Sequence, residues 1–227
     1  MEKRHKKTLA RTLINNAVCA RLVLVGGLFV PALLVQVYFP QIANDSMAVR
    51  EPQKLKPKPK ELVKIYSIVK SHRPDVSDNE AWRVADVILE QSSKHSFDPM
   101  LVLAMIQVES GFQYAVVSPS GARGIMQLLP DVAKAVLEEI SPVEARERRQ
   151  FKPESLDDPV LNIKLGVSYL HALRKTFRNL NLTLSAYNLG PTETRNRLDN
   201  DIELSDDYSS AVLAAYNTYK NAKHPLF

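Results

Sequence analysis

Ten residues, Pro99 to Val108 (PMLVLAMIQV), hold a single polar side chain, Gln107. A helix that is apolar all round cannot rest on a surface, so it has to be enclosed by other elements. Asp98 stands where an N-cap belongs and Pro99 at the first helical position. A chain built around such a helix needs a real core. Its 227 residues, 45% of them hydrophobic, allow one ordinary domain plus an appendage and exclude a disordered protein. The single cysteine, Cys19, cannot form an internal bridge, so a disulfide scaffold is excluded as well.

The surrounding segments supply the enclosure. SDNEAWRVADVILEQSSK opens with a capping-box pattern, Ser77 to Glu80, and its Trp82, Ala85, Val87, Ile88 and Leu89 give a broad apolar face. Further helices are expected over DVAKAVLEEI, DDPVLNIKLGVSYLHALRKTF, a short one around LTLSAYN, and DDYSSAVLAAYNTYKNA. No run alternates in the manner of a strand. The fold class expected is therefore mainly α.

The first third of the chain is organised differently. Met1 to Arg21 carries six positive side chains and one negative, which accounts for the whole net charge of +5. Nucleic acid is therefore not implied as a partner. No residue from Leu22 to Asn44 is charged, and an apolar run of that length is enough to span a bilayer core. Basic residues ahead of it place the N-terminus in the cytoplasm and the remainder outside. A cleaved signal peptide is the competing reading, but the run is long and no A-x-A-like site follows it closely. The expected organisation is a basic cytoplasmic segment 1–21, a transmembrane anchor 22–39, a Pro- and Lys-rich linker 40–60, and a helical domain 61–227.

Within that domain five glycines remain, and three of them, Gly111, Gly121 and Gly124, follow closely after Glu109. Glycine supplies positive φ or lets a second backbone come close, which a plain bundle has no need to concentrate at one place. Glu109 ends the apolar helix. There the negative end of the helix dipole and partial desolvation both disfavour its ionisation. A carboxyl kept protonated near neutrality can serve as general acid on a glycosidic oxygen.

Four blocks in this order, ES at Glu109 and Ser110, SPSGARGIMQLLP from Ser118, NIKLGVSYL from Asn162 and AYNLGP from Ala186, resemble the soluble-lytic-transglycosylase-type (SLT) domain. The resemblance spans the stretch from about Ser77 to the end and omits the anchor and linker. It implies a lysozyme-like, goose-type helical fold. It also implies cleavage of the β-1,4 bond between N-acetylmuramic acid and N-acetylglucosamine in peptidoglycan, with closure of a 1,6-anhydro ring and no use of water. Glu109 would be the sole acid and base, assisted by the acetamido group of the substrate.

The same resemblance gives other residues expected roles. Ser118 would hydrogen-bond near Glu109, and Tyr187 would orient the acetamido group. Met126 and Gln127 would line the groove, Asn188 and Asn162 would touch sugar or support the site, and Tyr208 is a further groove position. Leu189 departs from the family by standing where a small residue is usual. AAYNTY repeats the AYN triplet, but only the first copy is followed by Gly190 and Pro191. Tyr187 is therefore assigned to the site and Tyr216 to packing.

His5, His72, His95, His171 and His224 are scattered without helical zinc-ligand spacing, and the glycines form neither a nucleophile elbow nor a phosphate loop. No metal and no cofactor is expected. Two other readings stay open. One is a hydrolase of the same fold, which would need a second carboxylate such as Asp131, Asp157 or Asp158; the other is an idle glycan-binding or scaffold module. The expected location is the bacterial inner membrane, single-pass, with the catalytic domain in the periplasm. The partners implied are glycan strands and the membrane, with an envelope or secretion-machine protein left open.

Overall fold

The computed structural model describes residues 59–140 and 151–222. The expected cytoplasmic segment, the anchor, nearly all of the linker, Cys19, His5 and His224 lie outside the described residues, as do residues 141–150. Among the described residues, no helix is long and apolar enough to cross a membrane.

Eight α-helices are described: α1 (Lys60–His72), α2 (Asp78–His95), α3 (Pro99–Ser110), α4 (Pro130–Ile140), α5 (Pro159–Phe177), α6 (Leu180–Leu189), α7 (Pro191–Asp199) and α8 (Asp207–Asn221). A short 3-10 turn, Pro153–Asp157, precedes α5. Extended structure among the described residues is confined to two isolated bridges, Val117 with Arg123 and Arg123 with Leu128. The chain is mainly helical, as expected.

Local chemistry sets the helix starts. The Ser77 side chain accepts the N–H of Glu80 at 3.2 Å, and Asp98 Oδ1 accepts that of Met100 at 2.9 Å. Asp158 caps α5 through Val160, and Asn179 caps α6 through Leu182. Pro99, Pro159 and Pro191 each occupy a first helical turn, where their missing N–H costs nothing.

α3 is the central element. Pro99 through Ile106 are all buried, as its lack of a polar face requires. α8 packs most extensively against it, and α2 covers another side. At its start Asp98 Oδ2 accepts the hydroxyl of Tyr216 at 2.9 Å, so α8 is fastened to the N-cap of the buried helix. α5 runs beside α2, α4 and α6, and α1 covers α2 with Tyr66 stacked on Trp82 at 3.8 Å between ring centroids. Truncating a fully buried side chain such as Leu103 to alanine would cost about 2–5 kcal/mol. That enclosure leaves only the last turn of α3 reaching toward solvent, and Glu109 sits there.

Candidate active site

Glu109 is the next-to-last residue of α3, partly enclosed but not sealed. Desolvation pushes its carboxyl up to about 7, and a hydrogen bond from Tyr208 works in the opposite direction. That bond, from the Tyr208 hydroxyl to Glu109 Oε1, measures 2.5 Å. Tyr208 lies in the first turn of α8, so the pairing of α3 with α8 delivers it.

Tyr187, from α6, completes an acidic cluster of three. Its hydroxyl donates to the carbonyl of Met126 at 3.0 Å. Burial holds the phenols of both Tyr187 and Tyr208 well above their ordinary range, with the charge of Glu109 adding to the effect. Neither tyrosine is therefore a proton source at neutral pH beyond its hydrogen bond. Their ionisation is suppressed, and Glu109 is the group in the cluster able to exchange a proton there.

The segment after α3 is folded by backbone geometry and one buried amide. Gly124 has φ of 80°, and a Cβ there would collide with the Leu156 carbonyl and the Asn162 side chain. Asn162 is fully buried. Its Oδ1 accepts the N–H of Met126, and its Nδ2 donates to the carbonyls of Arg123 and Leu156, each at 2.9 Å. One side chain thus ties α5 to the loop and to the 3-10 turn. Arg123 adds a fork on Asp157, at 3.2 and 2.9 Å.

The expected site residues are distributed unevenly around this centre. Met126 was expected in the groove, but it is fully buried with its sulfur over Gly166, where a Cβ would come within 2.6 Å of Sδ. It supports the loop from beneath and offers no surface to a sugar. Gln127 has φ of 47°, and its Nε2 donates back to the carbonyls of Val116 and Gly124 at 3.1 and 2.9 Å. The Ser118 hydroxyl accepts the N–H of Ala122 at 3.0 Å and lies 2.9 Å from that of Ser120; it makes no hydrogen bond with Glu109. Asn188 is exposed at the end of α6, with no side-chain hydrogen bond among the described residues.

Tyr216 is bonded to Asp98 and Lys220, at the far end of α3 from Glu109. Ser110 is a site neighbour to which the sequence reading gave no role. Its hydroxyl donates to the Ile125 carbonyl at 2.8 Å and locks the helix end to the loop. Its only signal is adjacency to Glu109. Among the described residues, no group of three or more His, Cys, Asp or Glu is placed to hold a metal ion.

Comparison with known proteins meets the same region. The family model of the transglycosylase SLT domain matches residues 86–210. A membrane-bound lytic murein transglycosylase C of Photorhabdus laumondii subsp. laumondii is 30% identical over 113 residues, covering 50% of this chain and 30% of that protein. The chain therefore spans about a third of the length of that relative. Among solved structures, the 70 kDa soluble lytic transglycosylase from Escherichia coli matches with a TM-score of 0.51 and 23% identity, over 70% of this chain and 29% of that one. A complex of the 70 kDa soluble lytic transglycosylase with bulgecin A matches at 0.54 and 24%, with the same coverage. Both likenesses are of fold.

Proposed function

The chain belongs to the transglycosylase SLT domain family, and from that premise we propose that it is a peptidoglycan lytic transglycosylase with Glu109 as its single acid and base. The observation that carries this reading is a carboxyl enclosed at the end of an apolar helix and pushed up to about 7, in the residue that the family resemblance makes the acid. Such a group is protonated and ionised in comparable amounts near neutral pH, which suits it to give a proton and take one back.

Glu109 protonates the oxygen between N-acetylmuramic acid and N-acetylglucosamine. As the C–O bond breaks, the acetamido oxygen of the muramoyl residue closes on its own anomeric carbon. Glu109, now a carboxylate, removes the proton from the 6-hydroxyl, and that oxygen displaces the acetamido group to form the 1,6-anhydro ring. Glu109 ends protonated again. No water enters. Tyr208 holds the carboxyl in place through both transfers, and Tyr187, Ser118, Gln127 and Asn188 contribute to the groove, with Met126 and Asn162 supporting the loop that forms it.

A hydrolase of this fold would need a second carboxylate some 5–10 Å away to activate or balance a water. Asp157 is engaged by Arg123, Asp158 caps α5, and Asp131 is exposed on α4. Those engagements favour the single-glutamate route. A module that only bound glycan would have no use for a carboxyl with a raised pKa. The anchor at 22–39, the periplasmic placement of the domain 61–227 and the inner-membrane location are part of the same proposal, supported by the charge pattern of the sequence and by the membrane-bound relative.

Mass spectra of the fragments released from purified peptidoglycan by the full-length chain test the reading. Anhydro-ended fragments, lighter by one water than reducing-end fragments and absent with Glu109→Gln, are expected. Reducing ends would overturn the transglycosylase in favour of the hydrolase.

A further inference from the structure

Glu109 is followed by two left-handed residues, Gly111 with φ of 57° and Phe112 with φ of 67°. Glycine adopts that conformation freely, whereas a bulky side chain is held in it only by its surroundings. Phe112 is fully buried, and its ring lies face to face with the imidazole of His72, centroids 4.4 Å apart and planes 9° from parallel. Its carbonyl accepts a 3.0 Å hydrogen bond from Arg73 Nη1. Arg73 is itself fixed, forked onto Asp75 at 2.8 and 2.7 Å with its guanidinium 4.2 Å from the centre of the Tyr114 ring.

The other side of Glu109 leads back to the same pair. The Gln107 carbonyl accepts the N–H of Gly111 at 3.1 Å and closes the last turn of α3. Its side-chain Oε1 accepts the hydroxyl of Tyr219, also at 3.1 Å. That hydroxyl lies 2.8 Å from Nε2 of His72. A tyrosine has one proton to give, and here Gln107 takes it, so His72 is the donor in the second bond. Glu109 is thus bracketed by Gln107 and Phe112, and both are tied to two adjacent residues at the end of α1.

We propose that His72 and Arg73 are positioning residues for Glu109, gripping its turn at Phe112 directly and at Gln107 through Tyr219, and so fixing where the carboxyl points. All three gripping residues lie outside the stretch 86–210 that matches the family domain. The proposal rests on the reading of Glu109 as the acid. Relaxing the grip lets Phe112 leave its left-handed conformation, admits water to the carboxyl and turns it from the bond it has to protonate. A misplacement of about 1 Å costs on the order of a hundredfold in rate.

The test follows the side-chain carbonyl signal of Glu109 through a pH titration of the full-length, 13C-glutamate-labelled chain, the signal being the one lost in Glu109→Gln. In Arg73→Ala its midpoint is expected to fall toward the ordinary carboxylate range. On peptidoglycan, kcat is expected to drop by about tenfold to a hundredfold with KM changed by less than about twofold, and Arg73→Lys to recover part of the loss. His72→Phe, which keeps a ring on Phe112 but loses the bond to Tyr219, gives the same signature in weaker form and carries the test if Arg73→Ala does not fold. An unmoved midpoint with activity lost only in proportion to unfolded protein overturns the proposal, as does wild-type behaviour in both variants. The titration needs no substrate, so a wild-type chain that cuts no peptidoglycan would refute the reaction and leave the grip to be decided by the midpoint.

Discussion

The hydroxyl of Tyr208 and the carboxyl of Glu109 meet at 2.5 Å, and they oppose the environment that surrounds them. Burial drives the carboxyl toward its protonated form, whereas the tyrosine favours the carboxylate by donating to it. The proposed reaction, in which Glu109 is acid first and base second, requires that balance. Burial alone would make a stronger hold on the proton than the second step can use.

Removing the donor should unbalance the site in a defined direction. In Tyr208→Phe the carboxyl keeps its proton to higher pH, so the descending limb of the kcat/KM profile moves to more alkaline pH. The maximal rate should fall by about tenfold, the equivalent of one charge-assisted hydrogen bond. The profile over pH 5–9 checks both. A limb that moves toward acid would contradict the opposition described above.

Glu109→Gln should separate stability from activity. Cleavage should fall by at least about a hundredfold, because the amide has no proton to transfer. The wild-type carboxyl has a folded pKa of about 7 against an ordinary value of 4.5, so the folded state holds its proton more tightly than the unfolded state does. The stability this contributes is complete below about pH 4.5 and is lost as pH rises through about 7, an amount on the order of 3 kcal/mol. Urea unfolding should therefore show Glu109→Gln more stable than wild type at pH 8, with the gap closing toward pH 4.5.

The two AYN tyrosines should behave in opposite ways. Tyr187→Phe leaves the Met126 carbonyl without its donor beside Glu109, so both stability, by about 1–3 kcal/mol, and rate should fall. Tyr216→Phe removes a bond to the N-cap carboxylate of α3, at the far end of the helix. Its cost should be about 1 kcal/mol in stability with unchanged kcat. Paired melts and initial rates decide this, and a slow Tyr216→Phe would mean that the wrong triplet was assigned to the site.

Asn162→Ala should be among the most damaging single changes outside Glu109. It strands the buried Met126 N–H and the Leu156 carbonyl, each costing about 1–3 kcal/mol when unpaired, and takes one of two donors from the Arg123 carbonyl, which keeps the N–H of Leu128 at 3.0 Å. Loss of folding at 37 °C, or a melting temperature many degrees lower, is expected by circular dichroism. A near-native melt would show that the loop stands without it.

The helical fold was legible because caps and apolar faces agree with one another. Ser77 and Asp98 mark helix starts that the structure reproduces. α7 was not among the helices expected. Gly190 and Pro191 read as a stop, but proline is tolerated in a first helical turn, and α7 buries little beyond Thr194 and so shows no periodic face. Glu109 could be singled out because a carboxylate at the end of an apolar helix is electrostatically unusual wherever it occurs. Tyr208 was legible only through family resemblance, since its partner lies in a different helix. The inward direction of Met126 was not legible at all, because a loop has no period from which to read which side faces the core. The grip of His72 on Phe112 is likewise a tertiary stack between residues that no local pattern connects.

Glu109 and the tyrosine that holds its carboxyl are separated by 99 positions along the chain. A contact of that sequence separation carries a larger loop-closure cost than the short-range contacts around it, so it depends on the packing of α8 against α3 to hold it. Until the segment 207–221 has docked across α3, Glu109 faces solvent without its partner and behaves as an ordinary surface carboxylate. In the proposed reaction, the docking of one helix is therefore what equips the carboxyl for its task, since its hydrogen-bond partner arrives only with α8.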